Sequence, residues 1–197
     1  MADFEGAKKH ILRHLEENLP EHLSYHSVDH TLDVYAVAMD LSEHYGLDPA
    51  DRQILATAAL LHDVGFVLTY EGHEKKSVAY AREVLPKFNY SSEQIDRIAD
   101  LILSTQVPQS PKSQLARILC DADPDYLGRK DFFVTGSRLF HEFKTLGFVG
   151  NEQDWNKLQQ RFLESHDYHT DYSKERREPV KQMHLEQVRE IVAAYDD

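Results

Sequence analysis

Apolar residues recur at helical spacing along nearly the whole chain, and helix-capping and helix-breaking residues divide this pattern into segments. Asp48 followed by Pro49, for example, places an N-cap residue before a proline that suits the first helical position. Gly46 and Gly65 stand where two such segments end. The pattern predicts helices over residues 3–18, 27–45, 48–63, 73–86, 93–104, 113–123, 132–146, 152–165 and 178–195.

The predicted fold class is therefore all-α, in a single domain over residues 1–197. Composition supports this, because 8 Gly and 7 Pro in 197 residues are few for a fold rich in turns. Two loops interrupt the helical pattern, one over residues 66–72 and one around Val107–Pro111. A polar, His- and Tyr-rich connector is predicted over residues 166–173.

The formal net charge of −12 argues against a broad surface for nucleic acid or anionic lipid. A small anionic ligand is still compatible, because a metal ion can reverse the local field. The single cysteine excludes an internal disulfide, no apolar run reaches membrane-spanning length, and the N-terminus is unlike a signal peptide. We expect a cytoplasmic protein without membrane association. The sequence leaves the oligomeric state open, so a homo-oligomer is compatible with it.

Ionisable side chains interrupt faces that are otherwise apolar. His30 lies on the same helical face as Val34, and His62 on the same face as Ala58. Asp63 follows directly, at the end of its predicted helix, where the unpaired carbonyls disfavour a carboxylate. A lone histidine on such a face is more often a hydrogen-bonded core residue than a ligand. A buried carboxylate, however, needs a cation or several donors.

A further carboxylate comes from the segment CDADPDYLG. Asp123 continues the apolar row of Ala116 and Leu119, so we interpret it as a ligand, whereas Asp121 follows Arg117 on a more polar row. We expect Asp121 either to support the ligands from behind or to lie at the surface. Two imidazoles and two carboxylates suit one divalent ion, Mn, Fe, Co, Ni, Zn or Mg, with positions left open for water or substrate. The predicted ligands are His30, His62, Asp63 and Asp123.

The order of these residues resembles the His…His-Asp…Asp pattern of the HD-domain metal-dependent phosphohydrolases. The resemblance runs from about Tyr25 to Gly128, through the segments YHSVDHT, ALLHDVGF, GHEKKSVAYA and CDADPDYLGR. It implies an all-α HD core over about residues 22–130, with a helical extension over about 131–197. It also implies hydrolysis of a phosphoester, with a nucleotide or another small phosphorylated metabolite as the substrate.

Individual roles follow from the same resemblance. The YHxxxH element is similar to one in cyclic-nucleotide phosphodiesterases, which makes His30 a metal ligand and His26 a candidate proton donor. His73 is a candidate acid or base near the site, or a solvent-exposed residue at a helix start. Some nucleotidases of the family carry a Glu at the position of Phe66, and forms with more metals carry more histidines, so we favour a mononuclear site over one with a second metal.

Two basic residues, Arg129 and Lys130, are candidates for binding the substrate phosphate, although solvated surface charge explains either one as well. The segment 166–177 is either a lid or a surface loop, and we slightly favour the loop. Asp63 or Asp123 is expected to orient the attacking water. The alternatives to a hydrolase are a non-catalytic metal- or nucleotide-binding module, an iron-dependent oxygenase, and a structural helical protein.

Overall fold

The computed structural model describes residues 2–195, and over this range the protein is helical and has no strands. Ten α-helices follow one another along the chain: α1 (Phe4–Asn18), α2 (Val28–His44), α3 (Pro49–Leu61), α4 (His73–Val84), α5 (Ser92–Ser104), α6 (Gln114–Ala122), α7 (Phe132–Thr145), α8 (Glu152–Ser165), α9 (Asp171–Arg176) and α10 (Glu178–Ala193). Three short 3-10 turns lie between them, at Val64–Val67, Leu85–Phe88 and Asp125–Gly128. The predicted all-α fold class is confirmed.

Side-chain caps fix several helix starts. The carboxylate of Asp48 accepts a hydrogen bond from the backbone N–H of Asp51, with Pro49 in the first turn. Ser91 and Gln94 form a reciprocal capping box at the start of α5. The prediction was wrong at two places. α3 ends at Leu61, before the His-Asp pair, and the connector predicted over 166–173 contains the start of α9 at Asp171.

The described chain divides into two compact units. The first contains the residues up to Glu21 together with His26–Asp123, and so includes α1–α6. Its helices pack through apolar faces, with α3 at the centre in contact with α1, α2, α5 and α6. From Ile54 to Leu61 every residue of α3 is buried. A helix buried on all sides is typical of the centre of a bundle, so the end of α3 is held firmly.

The second unit contains His22–Tyr25 together with the chain from Pro124 onward, including α7–α10. Its core includes Tyr25, Tyr126, Leu127, Phe132, Leu163, Leu185 and Val188. The buried carboxylate of Glu142 accepts a hydrogen bond from the backbone N–H of Tyr25 at 2.9 Å. Arg177 binds the carboxylate of Asp125 through two nitrogens, at 2.7 and 3.1 Å. The short segment before His26 thus packs with the C-terminal half of the chain.

No helix in residues 2–195 combines the length and the apolar character needed to cross a membrane.

Candidate metal centre

Helix ends within the first unit supply the candidate ligands. His30 lies in the first turn of α2, after the N-cap Ser27. His62 is the C-cap residue of α3, and Asp63 follows it. Asp123 is the C-cap residue of α6. The C-terminal ends of α3 and α6 contribute negative potential here, which favours a cation, and the N-terminal end of α2 offsets part of it.

The four side chains converge. Nε2 of His30 lies 3.3 Å from Oδ2 of Asp63 and 3.3 Å from Oδ1 of Asp123. Nε2 of His62 lies 3.1 Å from Oδ2 of Asp63 and 3.7 Å from Oδ1 of Asp123. Ligand atoms of His30, His62 and Asp123 all lie within 4.8 Å of one another, a spacing that can hold a metal ion. The first unit therefore brings together the complete set of predicted ligands.

The tautomer of His62 is set by the backbone. Its Nδ1 lies 2.8 Å from the carbonyl oxygen of Ala59, which can only accept a hydrogen bond, so Nδ1 carries the proton and donates it. In the neutral imidazole the lone pair is therefore on Nε2. A backbone carbonyl bound to the other ring nitrogen is the arrangement that orients histidine ligands of metals.

The buried atoms Nε2 of His62 and Oδ2 of Asp63 lack a hydrogen bond of acceptable geometry within the described residues. Both are acceptors when the imidazole is neutral and the carboxylate ionised, so their approach to 3.1 Å requires a positive charge between or beside them. A divalent cation supplies it, and a nitrogen–oxygen donor set suits Mn, Fe, Co, Ni or Zn. The residues present therefore fit a metal ion.

The shifted pKa values of the candidate ligands also indicate that the centre binds positive charge. Burial by itself would lower the pKa of His30, but the carboxylates of Asp123 and Asp63 outweigh it and raise the pKa to about 9. The pKa of His62 is likewise raised well above its usual value against the effect of burial. Burial would raise the pKa values of Asp63 and Asp123, yet the neighbouring imidazoles hold both below the usual range. Without metal, protons on the histidines balance the carboxylates.

His73, the first residue of α4, lies beside the same carboxylate. Its Nδ1 donates to the carbonyl oxygen of Tyr70 at 3.1 Å, and its Nε2 lies 3.3 Å from Oδ1 of Asp63. Its side chain is 19% exposed. Burial would lower the pKa of His73, but Asp63 and Glu74 raise it. The position lies within the site and is still open to small molecules, as an acid or base in the pocket must be. Its catalytic role stays a prediction.

The turn that carries the His-Asp pair is held against α4. The buried hydroxyl of Ser77 donates to the carbonyl oxygen of His62 at 2.7 Å and accepts from the N–H of Gly65 at 2.8 Å. A Cβ atom at Gly65 would overlap the carbonyl oxygen of His73. Glycine is therefore required here by the close approach of two backbone segments. Its predicted role at the end of α3 was wrong, because α3 ends at Leu61 and Gly65 lies inside the following 3-10 turn.

His26 precedes α2, so its proximity to His30 does not come from a helical turn. The two ring centroids nevertheless lie 5.8 Å apart. The His26 ring contacts Phe66 at a centroid distance of 4.1 Å, and Phe66 in turn stacks on His73 at 3.8 Å. Tyr70 meets Phe66 edge-on at 4.9 Å. One side of the centre is thus lined with aromatic rings.

Three further residues were predicted to take part in the site, Asp121, Arg129 and Lys130. Asp121 is fully buried, so the surface alternative for it was wrong. Arg129 and Lys130 belong to the second unit. There the guanidinium of Arg129 forms two hydrogen bonds of 3.0 Å with Asp131 and also lies 3.6 Å from Asp125, while Lys130 is exposed. Phosphate binding by either residue stays a prediction.

Comparison with known proteins agrees with this site. Residues 27–124 match the family described as HD domain, a range that contains all four candidate ligands. The chain is an HD-domain protein. Members of this superfamily are typically hydrolases that use divalent metals. An uncharacterized protein of Clostridium beijerinckii is 33% identical over 103 residues, which are 50% of this chain and 62% of that protein.

Two solved structures share the fold. A protein described as a predicted HD superfamily hydrolase, from an uncultured Thermotogales bacterium, has a TM-score of 0.62 and 22% identity, over 95% of this chain and 92% of that one. Bacillus subtilis YpgQ in complex with ADP has a TM-score of 0.64 and 21% identity, over 95% of each chain. Both cover the C-terminal helices as well as the HD domain. At these identities the likeness shows the fold alone.

Sequence reasoning missed the residues that support the centre. Ser77 lies on the inward row of α4 together with Glu74, Ala81 and Val84, so helical spacing contained a signal for its burial. The ring contacts of Phe66 had no such signal, because they form between side chains of three different segments.

Proposed function

We propose that this HD-domain protein is a metal-dependent phosphohydrolase acting on a nucleotide or another small phosphorylated metabolite. The observation that carries the proposal is the meeting of buried imidazole lone pairs and carboxylate oxygens at the ends of α2, α3 and α6. A set of this kind fits a divalent cation, and it lies beside partly exposed imidazoles that can transfer protons.

In this proposal His30, His62, Asp63 and Asp123 hold one divalent ion. When bound, such an ion supplies Lewis-acid chemistry and lowers the pKa of water. Asp63 has one oxygen directed to His30 and His62 and the other to His73, so it can orient a water molecule by accepting its hydrogen bond. His73 or His26 would donate the proton that the leaving oxygen of the ester requires.

A nucleotide is the first substrate class to test. The structure of YpgQ contains ADP, and that protein shares the fold over nearly the whole chain. The partly exposed rings of His26 and Tyr70 beside the centre also suit a ligand with an apolar, planar part. Phosphate binding by Arg129 would compete with Asp131 and Asp125, which already pair with its guanidinium.

The test joins metal analysis to an activity screen. The purified protein is analysed for bound metal, then assayed with nucleotides and generic phosphoesters in the presence of Mn, Co, Ni or Mg. His62→Ala should lose metal and activity together, because it removes one ligand and leaves the carboxylates uncompensated. His141→Ala, at an exposed position on α7, is the matched control and should retain both. If His62→Ala binds as much metal as the wild type, the site assignment is wrong.

A second candidate function is a binding module without turnover. Phe66 favours this alternative. Its buried, apolar ring lies beside His26 and His73, at a position where a carboxylate could act as a base and a phenyl ring cannot. Tight nucleotide binding with no hydrolysis across the whole panel would support this alternative. Iron-dependent oxygen consumption in the same preparation would instead support an oxygenase.

A further inference from the structure

We propose that Phe66 is a positioning residue that fixes the orientation of the imidazoles of His26 and His73 beside the metal centre. The inference rests on the proposed function to the extent that these imidazoles transfer protons during hydrolysis. Phe66 is buried and is not one of the proposed metal ligands, so its effect on catalysis would pass through the two imidazole rings that it contacts.

The geometry of the contacts carries this proposal. The rings of Phe66 and His73 are nearly parallel, with an interplanar angle of 18° and a centroid distance of 3.8 Å. The ring of His26 lies 4.1 Å from that of Phe66, at an angle of 30°. The rings of His26 and His73 are 6.5 Å apart. Phe66 is 4% exposed, so neighbouring residues hold it in place and it can act as a rigid support.

Hydrogen bonds and the backbone also restrain the orientation of the two imidazole rings. The nitrogens of His73 lie 3.1 Å from the carbonyl oxygen of Tyr70 and 3.3 Å from Oδ1 of Asp63, both longer than the most common hydrogen-bond distance, so the ring can still tilt about its Cβ–Cγ bond. Contact with the face of Phe66 opposes that tilt. His26 lies before the first residue of α2, so helical backbone does not restrain its side chain. Stacking on Phe66 therefore adds a restraint on the planes of both imidazole rings.

The consequence for catalysis is specific. Proton transfer depends on a narrow range of donor geometry, and an oriented acid or base contributes about 10²- to 10⁴-fold to the rate. Phe66→Met retains an apolar side chain but removes the ring. We expect kcat to fall about tenfold or more while KM changes less than about twofold, since substrate binding is not altered. Bound metal should remain at the wild-type level. Phe66→Tyr retains the ring and should restore most of kcat.

A readout without activity tests the positioning directly. The NMR order parameter of an imidazole C–H bond reports how firmly the ring is held, and it does not depend on the ring current of a neighbouring phenyl group. The signals of His26 and His73 are assigned from the variants His26→Gln and His73→Gln. In Phe66→Met the order parameters of both rings should fall. If they stay at their wild-type values, Phe66 does not orient these rings and the proposal is overturned.

A matched control separates positioning from general loss of packing. Phe132 is a fully buried phenylalanine in the second unit, stacked on His184 at 4.3 Å with an angle of 8°. Phe132→Met should lower the melting temperature while leaving the order parameters of the His26 and His73 rings unchanged. Equal loss of kcat in both Met variants would overturn the proposal. If the wild type hydrolyses no compound of the panel, the proposed function fails, and the NMR comparison still decides the role of Phe66.

Discussion

At the scale of single residues, the histidines differ by which ring nitrogen is bonded and to what. Nδ1 of His62 donates to Ala59, and this leaves Nε2 directed to the carboxylates. Nδ1 of His184 donates in the same way to Leu127, but its ring stacks on Phe132 in a packed core. The sequence has twelve histidines. Helical spacing can place one on an inward face, but only the fold decides whether it meets a carboxylate or a ring.

The hydroxyl of Ser77 offers a sharp test of how the His-Asp turn is held. Ser77→Ala leaves the carbonyl of His62 and the N–H of Gly65 buried without this partner. Since each buried polar group left unsatisfied costs about 1–3 kcal/mol, the free energy of unfolding should fall by about 3 kcal/mol. Urea denaturation measures this change, and titration with Mn should show weaker metal binding in the same variant.

A control for this variant is Ser42→Ala. Ser42 is equally buried, but its hydroxyl donates to a single carbonyl, that of Met39, within its own helix. A loss of about 1 kcal/mol is expected there, with metal affinity unchanged. Equal effects of the two substitutions would show that the bridge at Ser77 has no special role in shaping the centre.

At the scale of elements, the helices were predictable and their junctions were less so. Apolar spacing and caps such as Asp48 and Ser91 identify helix interiors and starts, because these signals are local in sequence. The end of α3 was placed two residues late, since the 3-10 turn at Val64–Val67 still follows a nearly helical path. The start of α9 at Asp171 was missed because six residues are too few for a visible period.

The connector between α8 and α9 contains a buried histidine with unusual surroundings. Neither ring nitrogen of His166 has a hydrogen-bond partner within the described residues. The backbone carbonyl of the same residue accepts a hydrogen bond from the buried ammonium of Lys181. Burial, reinforced by Lys181, lowers the pKa of His166 to about 4. The folded protein therefore resists protonation here, whereas the unfolded chain does not.

Stability should consequently depend on pH through this residue. Between pH 6.5 and pH 4 the unfolded chain binds the proton and the folded protein does not, so the free energy of unfolding falls as the pH falls. The full effect is about 3 kcal/mol. Urea denaturation at pH 8 and at pH 4.5 measures this change. Between these two pH values the free energy of unfolding of His166→Leu should fall less than that of the wild type, because the histidine is neutral in both states at pH 8 and the leucine never binds a proton. An equal fall in the two proteins would contradict the assignment.

At the scale of the whole molecule, the sequence predicted the residues of the site better than it predicted which segments of the chain pack together. The inward rows that lead to His30, His62 and Asp123 are set by helical period, and all three lie together in the structure. The packing of His22–Tyr25 with the C-terminal half was not predictable. It depends on pairs far apart in sequence, such as Tyr25 with Glu142, and one sequence contains no record of such pairs.

The charge balance of the centre leads to a prediction for the whole fold. Without metal, the raised pKa of His30, about 9, means that the folded protein binds a proton that the unfolded chain has lost above pH 6.5. The metal-free protein should therefore lose stability as the pH rises from 6.5 to 9. A bound metal replaces the proton and needs the neutral imidazole, so its apparent affinity should increase over the same range, up to about tenfold per pH unit for each displaced proton.

Thermal unfolding at a series of pH values, with chelator or with saturating Mn, measures both effects. The melting temperature of the metal-free protein should fall between pH 6.5 and 9, while that of the Mn-saturated protein falls less, so the two curves diverge. His30→Gln removes the titrating ligand, and its metal-free curve should be flatter than that of the wild type. Parallel curves with and without Mn would mean that metal and protons do not compete for this site, and the ligand set would then have to lie elsewhere.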